Sequence, residues 1–288
     1  MASGKFLRDF WMDILSSQEK LEAVPWLYKK YQLHKKNGYR IVRISGQVQP
    51  YHRIHSRDKS TNWNYHLKMY FVIRKKQDIY VEEAEIDCQA IWKNGKLLTH
   101  EFREEKTEEI HDEVKYEPIP LERAGSLRFT YDRRSAVRYA ERWWDSYNPA
   151  YRHFTNDCTN FISQCLRAGG VPMWGAPNRG KGWWYNDRSW SYSWAVAHAF
   201  RWYLSGARQG LKVQEMDSPK DLIPGDVICY DFEGDGRWNH NTIVVMKNSE
   251  GMPLVNAHTT NSRHRYWSYE DSTAYTPNIK YKFFRIGG

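Results

Sequence analysis

The sequence predicts an α+β protein of two domains. Residues 1–125 read as an N-terminal helix plus an antiparallel meander, and residues 126–288 as helices followed by an antiparallel sheet. Three observations carry this. Apolar residues recur at helical spacing over residues 5–35 and then change to the alternation of strands. Pro118, Pro120 and Gly125-Ser126 follow an acidic run and read as a boundary. Beyond them helical patterns precede four strand-like runs, the order of an α+β domain. A length of 288 residues is comfortable for two domains. The hydrophobic fraction is only 41%, but 14 Trp, 20 Tyr and 11 Phe supply large apolar area per residue, so a packed core is expected.

In the first domain Phe6, Phe10, Ile14 and Leu15 fall on one helical face, and Pro25 marks a restart near Trp26, Leu27 and Tyr31. Strands are expected at Arg40–Val48, Asn64–Arg74, Val81–Trp92 and Lys96–Phe102, the last two joined by an Asn94-Gly95 hairpin. The scattered histidines His34, His52, His55, His66, His100 and His111 read as surface or loop residues. The acidic stretch Glu101–Glu117 reads as a solvated face or linker. Nothing in this domain carries nameable chemistry, and a packing or substrate-positioning module is expected.

In the second domain Asp132 caps a helix bearing Val137, Ala140 and Trp144. A second helix opens at Thr155-Asn156-Asp157-Cys158 and closes at Gly169-Gly170, with Phe161, Ile162, Cys165 and Leu166 at helical spacing. A loop dense in tryptophan follows, then a helix through Trp194, Ala197, His198, Arg201 and Leu204. Strands are expected at Asp226–Asp231, His240–Met246, Pro253–His258 and Ile279–Ile286.

Cys158 thus lies in the first turn of a helix, where free backbone N–H groups and the macrodipole favour an anion. That placement is expected to lower the thiol pKa toward the thiolate, and Asp157 is expected to cap the helix. His240 opens a strand just after a Gly234-Asp235-Gly236 turn and is the candidate base. Folding about the next turn brings a position near Thr259 opposite His240. This makes His258 the first candidate for the polar group that orients it, with Asn256 and Asn261 as alternatives. Cys165 and Cys229 sit in apolar patterns and read as core. Trp183, Trp184 and Trp190, in an irregular loop, are candidates to wall a cleft and stack on sugar rings or peptide planes, and Asp157 and Asn256 complete the candidate substrate contacts. Asp231, Glu233 and Asp235 resemble half of a calcium loop, but Thr242 at its twelfth position lacks the bidentate carboxylate, so no metal is expected.

The runs Asp157-Cys158-Thr159-Asn160-Phe161-Ile162-Ser163-Gln164, Gly225-Asp226-Val227-Ile228, Trp238-Asn239-His240 and Ala257-His258-Thr259 together resemble the bacterial putative amidase domain family. That family is similar to the NlpC-type and CHAP-type cysteine hydrolases of the papain-like superfamily. The resemblance spans roughly Tyr131 to the C-terminus. It implies a papain-like domain cleaving amide bonds in cell-wall peptidoglycan, with Cys158 as nucleophile, His240 as general base and His258 as third member, and no cofactor.

The formal net charge of +9 suits an anionic partner such as a wall polymer. No basic stripe or nucleic-acid motif is present, so nucleic-acid binding is not expected. The start Met1-Ala2-Ser3-Gly4-Lys5-Phe6 lacks an apolar h-region, no run reaches the length of a membrane span, and four scattered thiols suit a reducing compartment, so a cytoplasmic chain is expected. That expectation favours a second reading, an intracellular cysteine protease or peptide amidase. A third is an inactive wall- or glycan-binding module.

Overall fold

The computed structural model describes residues 3–102, 129–206 and 211–287. The linker prolines, His111 and most of the acidic run lie outside the described residues. The chain divides into two compact units, Met1–Lys106 with Tyr269–Thr273, and Thr107–Ser268 with Ala274–Gly288.

The first unit begins with three helices, α1 (Ser3–Ile14), α2 (Gln18–Leu21) and α3 (Pro25–Lys36). The interruptions have local causes. Ser17 caps α2 by accepting from the Lys20 N–H at 3.4 Å, and Pro25 occupies the first turn of α3, where its missing N–H costs nothing. Four antiparallel strands follow as a meander, β1 (Arg40–His55), β2 (Ser60–Lys75), β3 (Asp78–Lys93) and β4 (Lys96–Phe102). In β2 the alternate residues Tyr65, Leu67, Met69, Phe71 and Ile73 are all buried, the period-2 signature of a half-buried strand. The strands run longer than the sequence pattern suggests. β1 continues through a register shift between Pro50 and His52, which lets an edge strand absorb a proline. Asn94 and Gly95 both take positive φ (51° and 77°), as a two-residue hairpin turn requires.

One expectation for this unit is corrected. His34 is buried, not a surface residue: its Nε2 lies 3.1 Å from Glu82 Oε2. The Lys30 ammonium reaches both Glu82 and Asp271, the latter at 2.6 Å. Helix α3 and strand β3 therefore bury charges together, and each partner makes the others' burial tolerable.

The second unit contains α4 (Arg133–Trp143), α5 (Cys158–Ala168), the two-residue strands β5 (Tyr185–Asn186) and β6 (Ser189–Trp190), α6 (Tyr192–Ala195), α7 (Ala197–Gly206), and then β7 (Val213–Met216), β8 (Val227–Asp231), β9 (His240–Lys247), β10 (Pro253–Ala257), β11 (Ser262–Tyr266) and β12 (Lys280–Ile286). Its antiparallel sheet has the order β11-β10-β9-β8-β12-β7. Val227 and Cys229 of β8, Ile243 and Val245 of β9, and Phe284 and Ile286 of β12 share one buried cluster with Ala136 and Ala140 of α4, Phe161, Ile162 and Leu166 of α5, and Phe200 and Leu204 of α7. One face of the sheet is thus covered by helices, and Cys158 lies on this side. His240 alternates with Asn241, Ile243 and Val245 along β9 and shares the other face with its register partner Tyr230.

Asp132 caps α4 as expected from the sequence, accepting from the Ser135 N–H at 3.1 Å. Gly225-Asp226 proves to be a structural clasp. The fully buried Asp226 carboxylate accepts from the Ile223 N–H (2.8 Å), the Ile286 N–H (3.0 Å) and Arg133 Nη1 (2.6 Å), joining α4, β8 and β12. Gly225 has φ +92°, and a Cβ there would press on Arg133 and Tyr131.

Candidate active site

Helix α5 is buried on every side over its first nine residues, yet four of those are polar: Thr159, Asn160, Ser163 and Gln164. Each is matched to a specific partner, as burial demands. Thr159 Oγ1 accepts from Asn241 Nδ2 at 2.9 Å. Asn160 accepts from Trp194 Nε1 at 2.8 Å and donates to the Arg152 carbonyl at 2.9 Å. Ser163 donates to the Trp194 carbonyl and accepts from Trp183 Nε1. Gln164 accepts from the Tyr139 hydroxyl at 2.6 Å. Together these bonds fix the position of the helix, and with it the cysteine at its first residue.

Cys158 is only 4% exposed and His240 5%. The Cys158 sulfur lies 3.7 Å from Thr159 Oγ1, which in turn accepts from Asn241 Nδ2 of the residue after His240, and the Asn241 backbone N–H acts to favour the thiolate. The mouth of α5 and the start of β9 therefore meet beside the sulfur. His240 is held by aromatic rings, with the Tyr230 centroid at 5.6 Å and Phe232 stacked at 6.0 Å.

The electrostatics correct one expectation. Burial pushes the Cys158 thiol above its ordinary value. The Thr159 hydroxyl and the Asn241 N–H act against this, and the neighbouring Asp157 charge adds to it. Burial, together with the Arg265 charge, pulls His240 down to about 3. Burial thus favours the neutral thiol and the neutral imidazole at the two positions.

Asp157 also departs from its expected role. Its side chain caps no α5 N–H. Oδ1 instead accepts from the Phe154 N–H (3.0 Å) and Asn160 Nδ2 (2.8 Å), and Oδ2 lies 2.8 Å from His258 Nδ1. The other ring nitrogen of His258 is 2.7 Å from the Trp143 carbonyl oxygen, and its ring stacks on Phe161 at 4.0 Å. An imidazole has two polar atoms, and both are taken, so His258 does not orient His240 through a hydrogen bond. Asn256 is committed as well. Its amide donates to the Ala140 carbonyl (3.3 Å) and Glu141 Oε1 (3.0 Å), and its oxygen accepts from the His264 N–H (2.9 Å).

The tryptophans divide. Trp183 and Trp184 are core residues at 0% and 2% exposure, not cleft walls, and their indole N–H groups bond Ser163 Oγ and the carbonyls of Asn178 and Lys181. Trp190 is half-buried between Arg152 and Arg179, whose guanidinium carbons lie 5.2 and 5.5 Å from its ring. In the turn before β9, the Asp231 carboxylate is used by the N–H groups of Gly234 and Gly236 (both 2.8 Å) and Asp235 by that of Arg237 (2.7 Å). Among the described residues no cluster of His, Cys, Asp or Glu could hold a metal ion, and no helix is long and apolar enough to cross a membrane.

Sequence reasoning did not single out Asn241, Thr159, Asn160 or Thr259, whose hydroxyl accepts from the Asp157 N–H at 3.1 Å. The available signal was four polar residues set between the apolar positions of α5.

The sequence model of a family described as "Putative amidase domain" matches residues 130–284. The chain is 46% identical over 263 residues to "Uncharacterized protein YhbB" of Bacillus subtilis (strain 168), covering 90% of this chain and 85% of that one. It is 30% identical over 183 residues to "Uncharacterized protein YjcM" of the same organism, covering 58% of this chain and 42% of the other. No solved structure matches.

Proposed function

The chain belongs to the putative amidase domain family, and on that premise we propose that it is a cysteine-dependent amide hydrolase with Cys158 as nucleophile and His240 as base. The observation that carries this reading is the 2.9 Å hydrogen bond from Asn241 Nδ2 to Thr159 Oγ1, which joins the first turn of α5, beside Cys158, to the residue after His240. Burial favours the neutral form of both groups, so the proposed reaction begins from a thiol and an unprotonated imidazole.

The reaction starts as His240 takes the thiol proton while sulfur attacks the amide carbonyl carbon. The carbonyl π electrons move to oxygen. The Cys158 backbone N–H, in the first turn and without an intrahelical acceptor, is suited to stabilise that oxyanion. Collapse expels the amine, which takes its proton from His240. Water then attacks the thioester, giving up a proton to His240, and the proton returns to sulfur as the acid leaves. Ring packing by Tyr230 and Phe232 helps to hold the imidazole.

The substrate class we propose is the peptide or amide linkage of bacterial cell-wall peptidoglycan, which suits the net charge of +9. Incubating the full-length protein and a Cys158→Ala variant with purified peptidoglycan and with peptide amides, followed by mass spectrometry, tests both parts. The wild type releases fragments with new amino and carboxyl ends and the variant does not. Equal release by both, or none from any amide, overturns the reading.

A further inference from the structure

Arg201 of α7 is a buried cation with no ion pair among the described residues; the carboxylate acting on it, that of Glu215, does so only through space. It is 8% exposed, and its Nε and Nη1 have no hydrogen-bond partner among the described residues. Arg133 in the same unit shows the contrast, since it is matched to Asp226 and to the carbonyls of Pro224 and Ile286. Acidic groups in the neighbourhood of α7 are already used. Glu215 pairs with Lys282, and both oxygens of Asp231 accept backbone N–H groups. What Arg201 has instead is aromatic surface. Its guanidinium carbon lies 3.9 Å from the Trp202 ring centroid and 5.1 Å from that of Trp238. Cation–π attraction over the ring faces offsets part of the desolvation and leaves the in-plane donors unused.

We propose that Arg201 is the carboxylate-binding group of the substrate site, receiving a free carboxylate that the peptide carries near its scissile amide. The position of Arg201 supports this. Trp238 lies two residues before His240. Cys229 feels the charges of both Arg201 and Cys158, and in the sheet it pairs with Asn241, the residue whose N–H acts on the nucleophile. Arg201 and Cys158 therefore address the same stretch of the helix-covered sheet face. The guanidinium fork can hold a carboxylate by two parallel bonds, and the amide beside that carboxylate adds contacts that inorganic phosphate cannot make. A buried donor set left empty by a neutral analogue gives strong discrimination. This inference rests on the hydrolase reading for its biological meaning, but its test does not.

The test uses full-length protein, wild type and Cys158→Ala, titrated with N-acetylglycine, with N-acetylglycinamide and with inorganic phosphate. Tryptophan fluorescence reports on Trp202 and Trp238, and thermal unfolding gives a second signal. N-acetylglycine is expected to bind saturably to both proteins, and N-acetylglycinamide and phosphate at least tenfold more weakly. Arg201→Met is expected to abolish the difference and Arg201→Lys to retain part of it. Equal responses to the acid and the amide, no response to the acid, or phosphate binding as tightly as the acid overturns the proposal even if no Arg201 variant folds. Carboxylate binding without hydrolysis of any amide leaves the Arg201 site standing and sinks the hydrolase. Hydrolysis without carboxylate binding does the reverse.

Discussion

The Asp157 carboxylate and the His258 imidazole stand 2.8 Å apart across 101 residues of chain. Through His258 Nε2 at the Trp143 carbonyl, this contact joins the end of α4, the head of α5 and the exit of β10. The residue before the nucleophile is thus positioned by a tertiary contact on one carboxylate oxygen and by the nearby Phe154 N–H and Asn160 amide on the other.

Breaking that clasp should be a stability event first. His258→Ala removes one member of a buried polar pair and leaves the Asp157 carboxylate without its partner, which costs about 3–5 kcal/mol. Denaturant unfolding of His258→Ala, Asp157→Asn and the double variant checks it. The double-variant loss should fall well short of the sum of the two single losses.

The reactivity of the nucleophile should climb with pH. Because burial holds the Cys158 thiol above its ordinary value, iodoacetamide labelling of this residue should rise about tenfold per pH unit from neutrality into the alkaline range. Peptide mapping of the labelled protein at several pH values reads this directly. Fast labelling with a plateau near pH 6 would mean a resting thiolate and a different electrostatic state.

His240 should make the fold acid-sensitive. Its folded value near 3 lies below the ordinary histidine value of 6.5, so the unfolded chain binds a proton that the folded chain refuses. The contribution is full above pH 6.5 and is lost as pH falls toward 3, at about 1.4 kcal/mol per pH unit. The slope of unfolding free energy against pH between 6 and 4 should therefore be shallower by about one proton in His240→Gln.

The two kinds of tryptophan should separate cleanly. Trp183→Ala opens a hole in the core and should cost about 3–5 kcal/mol. Trp190→Ala removes a half-buried ring from between two arginines and should stay within about 1 kcal/mol. Thermal unfolding of both variants distinguishes them.

These contrasts also show what the sequence could and could not reveal. The β2 alternation, the Asn94-Gly95 turn and the Asp132 cap are local, and each is readable because a few adjacent residues decide it. β11 gave no signal because two of its inward residues, Ser262 and Arg265, are themselves polar, and β7 is a short strand at the end of the sheet. The sequence favoured Asp157 as a cap because its local preference is strong, but a partner in another strand competes for that carboxylate. Counting register along β9 and β10 put a position near 259 opposite His240, but the pairing runs only as far as Asn256 with Ile243, and Thr259 lies in the turn after β10 with φ 59°. It could not say that His258 turns toward Asp157, because pairing fixes backbone neighbours and not the partners of a side chain. The shifts of Cys158 and His240 toward their neutral forms were equally hidden, since they follow from burial depth.

The membership of Tyr269–Thr273 in the first unit bears on how the gene can be cut. A fragment ending near residue 106 would carry Lys30 without Asp271, one of the two carboxylates it meets among the described residues. Expressing the amino-terminal half alone should then give a poorly soluble product. Supplying the missing pentapeptide stretch on a short flexible tether is the repair that the covalent order of the chain recommends.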